Sequence, residues 1–581
     1  MRRAAEVVVA FISLLASSVP LSQALPQEAS ANKQTLSIHG TVINSVTHEP
    51  IGRALVSSPD NRFATMTDSQ GRFEFSVPMA QNGTPPVGVS TGVTFYGSGA
   101  QAVVGSTWTG MLSARKPGFI SDPNEIPQPI QATPGQEITL SLMPEALIVG
   151  RVVLPSSDGV TPIHLQLYKR QVQEGRAHWV PAGDTTARAN GEFRFADLSP
   201  GTYKLFTLEL LDQDPETFRR GAQLYGYPPF YFPGAQSFGS ASTIHLSAGK
   251  TFHVDLSPVR QPYYSVKVPI SNAVPGAPLS VSVLVQGHRG PGFSLGYNDR
   301  ARSIQGMLPN GVYTVEATSY GPSPASGVVT ISVRDAAAEG PPMMLVSNSS
   351  IPVNVRWELT SIDNRNSEVV KRGRGRYVNV RLEPADDFGQ QRGGFLRNPT
   401  GPKDDTLTID GVAPGRYWVH LDPALGFPAA VSSGGVDLLH HPFVVSAGGT
   451  SPIEITMRDD GATIEGSVEG VGTSNVATGS DGASTAITTG AGSFTSAFVY
   501  CVPLPDSTGR FAQASATQNG EFNLPNLSAG TYRVLAFRRP QPELEYEDPE
   551  AMRAYDSKGV IVRLIPGQKE HIRLPLVSPG E

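Results

Sequence analysis

The chain of 581 residues holds a single cysteine, Cys501, so no internal disulfide can form. Exported sandwich proteins from organisms with an oxidative folding pathway often carry disulfides, and their absence leans toward a bacterial origin. Charged residues are sparse at 17%, and the net charge of -6 is spread along the chain. A nucleic-acid partner would want a basic face, and none is evident. The one basic run, Lys371 to Arg376, reads as a solvated hairpin. Long apolar stretches are missing beyond the N-terminus, so the mature chain has no transmembrane segment. Helical periodicity is missing too; its best candidate is the short segment Asp548 to Tyr555.

Catalytic patterns are equally scarce. None of the 11 histidines begins a His-x-x-Glu pair, and the adjacent His440 and His441 would point to opposite faces of a strand. Gly88-Val-Ser90-Thr-Gly92 matches a nucleophile elbow in letters only, because that elbow needs a strand-to-helix turn and no helical pattern follows. The acidic stretch Glu543 to Asp548 fits no calcium-loop spacing and reads as a solvated surface loop. Cys501 sits in the strand-like run Ala497 to Pro503 and reads as a buried small hydrophobe. These readings predict no enzyme, no metal and no cofactor.

What the chain does hold is repetition. Leu198-Ser-Pro-Gly201-Thr-Tyr203, Leu308-Pro-Asn-Gly311-Val-Tyr313, Val412-Ala-Pro-Gly415-Arg-Tyr417 and Leu527-Ser-Ala-Gly530-Thr-Tyr532 return about every hundred residues. Such a period marks a tandem array of small domains. Asn190-Gly191 and Asn519-Gly520 precede two of the copies, and Asn-Gly suits a tight hairpin with positive φ at both central residues. Phe193 and Phe195, like Phe522 and Leu524, alternate with polar residues as in half-buried strands. The tyrosine opens the following strand, where it can bury its ring and send its hydroxyl to a nearby backbone group.

A glycine turn and an alternating strand close each unit, for example Ala248-Gly249 running to Phe252, Val254 and Leu256. The third unit has a weaker version, Gly327 to Val333. A fresh opening strand then begins, as in Ile148-Val-Gly150-Arg-Val152 and Ile464-Glu-Gly466-Ser-Val468. The fold expected is all-β, a tandem array of about five sandwich domains. Their boundaries fall at 36–144, 145–258, 259–345, 346–458 and 459–581. Trp357 and Trp418 alternate with apolar strand residues and are expected in the core.

Ahead of the array, Arg2 and Arg3 precede an apolar stretch from Val7 to Leu15, and Ser22-Gln-Ala24 offers small residues for cleavage. Residues 1–24 read as a secretory signal peptide cut near Ala24, which places the mature chain in the periplasm or outside the cell.

Leu36-Ser-Ile38-His-Gly40-Thr-Val42, Pro50 to Val56 and Thr67-Asp-Ser-Gln-Gly71-Arg-Phe73-Glu-Phe75 resemble the carboxypeptidase regulatory-like domain. Ala114 to Phe119 resembles that family's next strand. The resemblance implies a transthyretin-like, prealbumin-type Greek-key sandwich of about seven strands. It specifies fold and hardly any function, since the matching residues are turn and core residues. Related folds include carbohydrate-binding modules, so a polysaccharide is one expected partner. The other is an envelope transporter or other envelope protein, which the chain would serve as an auxiliary or sensor subunit docked through an exposed strand edge.

The candidate ligand-binding residues are Tyr225, Tyr227, Phe230, Tyr231 and Phe232, in the proline-rich segment Tyr225 to Gly234. Exposed rings on a stiff loop stack against sugar faces or a proline-rich peptide. The alternative is that they cover the open edge of the second sandwich or fill its joint with the third.

Overall fold

The computed structural model describes residues 35–577 apart from 59–62, 79–88, 95–102, 123–129, 133–136, 156–161, 213–222, 273, 286–288, 321–322, 359–377, 387, 389–392, 398–405, 424–425, 472–496, 506 and 508. The signal-peptide region, the basic run 371–376 and most of the long insertions at 79–102 and 470–496 lie outside these residues. The chain is all-β, a tandem array of five two-layer sandwiches. Each has its own cluster of buried apolar residues, built around Val42, Ile148, Val268, Val353 and Ile464 in turn.

One layer is built from the opening, hairpin and closing strands. The opening strand lies in the middle, antiparallel to the hairpin strand and parallel to the closing strand. Thr35–Asn44 pairs in parallel with Glu137–Pro144, Ala146–Val152 with Thr251–Leu256, Ser349–Glu358 with Ile453–Arg458, and Ala462–Val468 with Lys569–Leu574. In the third sandwich only the two-residue strand Ala338–Glu339 takes the parallel place, beside Gln261–Pro269. The segment expected to close this unit lies in Ala325–Val333, which belongs to the opposite layer.

The glycine of the opening strand has a packing reason. Gly40, Gly150 and Gly466 stand directly across from Phe73, Phe193 and Phe522. A Cβ on Gly150 would lie 1.7 Å from the Val254 carbonyl oxygen and 3.0 Å from the Phe193 ring, so no larger residue fits without moving the parallel strand.

The Asn-Gly turns differ from expectation. Gly191 and Gly520 take positive φ near 82° and 81°, but neither asparagine does. Arg188 and Glu192 close one loop, and Thr517 and Glu521 the other, with the glycine amide donating back three residues. This is a three-residue loop, a turn followed by a glycine in the left-handed region, rather than a two-residue hairpin.

The second layer is centred on the tyrosine strand. Gly201–Thr207, Gly311–Ser319, Gly415–Pro423 and Gly530–Phe537 each pair with an inner strand on one side. Those inner strands are His164–Gln173, Leu279–Val285, Val378–Pro384 and Ala497–Pro503. In the second, fourth and fifth sandwiches a further outer strand covers the inner one antiparallel: Arg176–Thr186, Gly394–Phe395 and Ala512–Ala516. The first sandwich does the same with Ala64–Met66 against Leu55–Ser57. In the third, the strand at that point of the sequence, Gly296–Asn298, pairs instead with Ser303–Pro309 in the opposite layer.

A bulge also recurs. The register of the opening strand shifts between Ala146 and Ile148, Ser349 and Ile351, and Ala462 and Ile464. Across from each shift a residue takes positive φ: Asp197, Gly411 and Asn526. Aspartate, asparagine and glycine are the residues that visit this region most readily. The short α-helix of the fifth sandwich, Pro549–Met552, is capped by Asp548, whose carboxylate accepts from the Glu550 amide at 2.9 Å.

Candidate binding surface

The aromatic segment does not form a free platform. Leu224–Tyr227 pairs antiparallel with Gln261–Pro269 and so adds a strand to the third sandwich. Tyr231 is 2% exposed, and its hydroxyl donates to the Pro291 carbonyl at 2.5 Å. Tyr227 is buried as well, while Phe230 and Phe232 pack half-buried against the second core. Only Tyr225 is exposed, and the Arg260 guanidinium lies 4.9 Å from its ring. Tyr227 and Tyr231 thus fill the joint between the second and third sandwiches, while Phe230 and Phe232 cover the second.

Tyr231 belongs to a larger ring cluster with Phe206 and Phe238, flanked by Tyr168, Trp179 and Phe388. Phe388 comes from the fourth sandwich, and Trp179 forms an isolated parallel bridge to it. Lys204 is buried among these rings. Its ammonium donates to the carbonyls of Phe238 at 2.8 Å and Gly239 at 3.1 Å, 4.8 Å from the Trp179 ring.

The hairpin of His164–Gln173 and Arg176–Thr186 reaches beyond its own sandwich, with Glu174 and Gly175 at the tip. Arg170 forms a two-pronged ion pair with Glu545, one arm at 2.6 Å, and Arg176 pairs with Glu547 at 2.8 Å. The acidic stretch of the fifth sandwich is therefore more than a solvated loop: Glu545 and Glu547 pair with arginines of the second sandwich, while Glu543 stays exposed. Tyr546 packs against Gly175, where a Cβ would come within 2.5 Å of its ring.

On the side facing the fourth sandwich, the Arg176 guanidinium stacks 3.6 Å over Trp418 and Arg381 pairs with Glu174 at 3.0 Å. Trp418 is thus a joint residue rather than a core one, and Trp357 packs half-buried on the rim of the fourth core. Glu383 lies 2.7 Å from His420 and 3.4 Å from the buried His178. Burial alone would raise its carboxyl, but His420, His178 and Arg381 together hold it below the usual range.

His440 ties the fourth sandwich to the fifth. Its Nδ1 lies 2.6 Å from Asp437 and its Nε2 3.0 Å from the Ser507 carbonyl. Cys501 is fully buried, and desolvation pushes its thiol well above the ordinary value, the reverse of what a nucleophile needs. Ser90 lies within the strand Val89–Thr94, paired antiparallel with Val103–Gly110, so no elbow exists there. Among the described residues no group of three or more His, Cys, Asp or Glu side chains could hold a metal ion. Among them, too, no helix is long and apolar enough to cross a membrane.

Between the second, third and fourth sandwiches lies a cleft of about 770 Å³. One wall is five consecutive residues, Ser280 to Leu284, and Trp179, Phe388 and Tyr417 are on other walls. Sequence reasoning missed this cleft because it is assembled from three units. The only local signal was the failure of the third unit to follow the repeat.

No family model matches the chain, and no curated protein matches it. Among solved structures, the Bacillus anthracis TIE protein is 10% identical over 74% of this chain and 68% of its own, with a TM-score of 0.14. Shaft pilin SpaA from Lactobacillus rhamnosus GG is 8% identical over 39% of this chain and 98% of its own, with a TM-score of 0.19. The Streptococcus agalactiae minor pilin GBS52 is 11% identical over 41% and 99%, with a TM-score of 0.16. At such scores the likeness carries no weight, and the architecture rests on the sheets themselves.

Proposed function

We propose that this protein is an exported, non-enzymatic scaffold of the cell envelope or exterior that works by binding a partner. Its domains are delimited near residues 145, 259, 346 and 459, and its leader is removed near Ala24. The observation that supports the reading best is how the repeated residues are used. Tyrosines, glycines and aromatic rings serve turns, cores and joints, and the arginines of one hairpin bind the second sandwich to the fourth and fifth. A chain that puts its distinctive residues into holding β-domains together is suited to presenting a surface rather than to turning over a substrate.

Carbohydrate binding is the first specific form to consider, and Tyr225 is the most exposed member of the aromatic segment that could contribute to it. Docking of an envelope protein is the better-supported form, because among the described residues one sandwich has an inner strand without an outer neighbour. Cross-linking of the tagged full chain in intact cells, run beside a polysaccharide pull-down, separates the two. A stoichiometric protein partner with no retention on polysaccharide is expected. Retention that disappears in Tyr225→Ala would restore the sugar reading, and turnover on a hydrolase substrate panel would overturn the non-enzymatic one.

A further inference from the structure

The third sandwich is one strand short in its tyrosine layer, and we propose that an extended segment of a partner polypeptide fills the place, running antiparallel to Leu279–Val285. Four sandwiches cover the inner strand with an outer antiparallel one: Ala64–Met66, Arg176–Thr186, Gly394–Phe395 and Ala512–Ala516. In the third, Leu279–Val285 ends its sheet, whose order runs from it through Gly311–Ser319 and Ala325–Val333 to Val346–Ser347. Among the described residues no strand pairs with its other edge. The strand expected there has moved to the opposite layer as Gly296–Asn298.

The cleft adjoins Leu279–Val285, the last strand of its sheet. A strand's side chains alternate between faces, so a cavity touching one face meets every second residue. This cavity touches Ser280, Val281, Ser282, Val283 and Leu284 without a gap, and beside Ser280 and Ser282 it also meets Thr318 and Glu316 of the paired strand, so it spreads over the outward face of the sheet as far as its last strand. The edge offers a row of backbone donors and acceptors, and the partner that satisfies such a row is another extended backbone.

Trp179 and Phe388 supply rings for apolar side chains on the incoming strand. Of the charged residues in the lining, Arg289 is already paired with Glu316 at 2.6 Å and Asp410 with Arg397 at 3.7 Å. Recognition therefore runs through backbone hydrogen bonds and apolar contacts, and the favoured sequences alternate apolar and polar residues without a net charge requirement. Edges left open in this way are normally blocked by charge, proline or a covering loop. Ser280 and Ser282, the exposed side chains of this strand, are small and neutral.

The inference rests on the scaffold reading and is tested on the full chain. A displayed library of linear peptides of roughly twelve residues, longer than a usual strand of about 3–10, is panned against the protein. The best binders are then measured by fluorescence anisotropy and by amide hydrogen exchange. Selected peptides should show period-two patterning and should protect amides within 279–285. Of two neighbouring residues in an edge strand, one amide faces the ladder and the other faces outward. Hence one of Val281→Pro and Ser282→Pro should weaken peptide binding at least tenfold with an unchanged melting temperature. If both variants unfold, the exchange map alone decides.

Failure to select any peptide, protection confined to other strands, or a folded pair of variants that both bind normally overturns the proposal. A protein partner that cross-links to the chain while these amides stay unprotected also overturns it, and leaves the scaffold reading standing.

Discussion

The Tyr532 hydroxyl donates to the backbone carbonyl of Ser528 at 2.7 Å, four residues back along the chain. The same reach joins Tyr203 to Ser199 at 2.6 Å, Tyr313 to Pro309 at 3.0 Å and Tyr417 to Ala413 at 2.8 Å. Each tyrosine is buried at the start of its strand, so ring and hydroxyl together fix the reversal that precedes it.

Tyr532→Phe keeps the ring and removes the donor. The Ser528 carbonyl and the Ser528 hydroxyl, 2.9 Å from the phenol, both lose a buried partner. The expected cost is about 1–2 kcal/mol, confined to the fifth sandwich. Denaturant-dependent hydrogen exchange, resolved by segment, should show that loss in residues 462–574 and none in the first sandwich. Equal loss in both would mean that the tyrosine does not act locally.

The repeat was legible because its residues carry local instructions. Positive φ at Gly191 and Gly520 and burial of Phe193 and Phe522 are decided within a few residues, and the letters announce them. The bulge at Asp197, Gly411 and Asn526 was not read from the sequence, although a residue tolerant of positive φ stands just before the Leu or Val of each phrase. The joints were not legible. Nothing near Arg170 or Arg176 foretells pairing with glutamates more than 370 residues away. An aromatic, proline-rich segment also looks alike whether its rings face solvent or a neighbouring domain, and only the pairing of Leu224–Tyr227 with Gln261–Pro269 decides it.

The Arg176 joint makes a second prediction. Its guanidinium stacks 3.6 Å over Trp418 and pairs with Glu547, touching two sandwiches at once. A double-mutant cycle of Arg176→Ala and Trp418→Ala should return a coupling of about 1 kcal/mol for the partly desolvated cation–π contact. The Arg176→Ala chain should also expand in solution scattering, and raised salt should expand the parent by weakening the Glu547 pair. Strictly additive mutations, or scattering indifferent to the substitution, would show that the hairpin does not hold the joint.

Glu209 supplies the pH dependence. It follows the tyrosine strand of the second sandwich, Gly201–Thr207, close to Tyr263 and Ser294 of the third. Burial pushes its carboxyl up to about 7, against the opposing pull of the Tyr263 hydroxyl and the Ser294 backbone. The folded chain therefore keeps a proton that the unfolded chain releases near the ordinary value of 4.5. Wherever the folded state binds more protons, stability falls as pH rises. The parent should thus be most stable below pH 4.5 as far as this group is concerned, and should weaken as pH climbs to about 7. The full loss is on the order of 3 kcal/mol, from the rise in the folded state at 1.36 kcal/mol per pH unit. Glu209→Gln removes the titration while keeping the shape. Urea midpoints taken across this range should converge with the parent in acid and exceed it near neutrality, and a parallel pair of profiles would mean that Glu209 stays ionised in the fold.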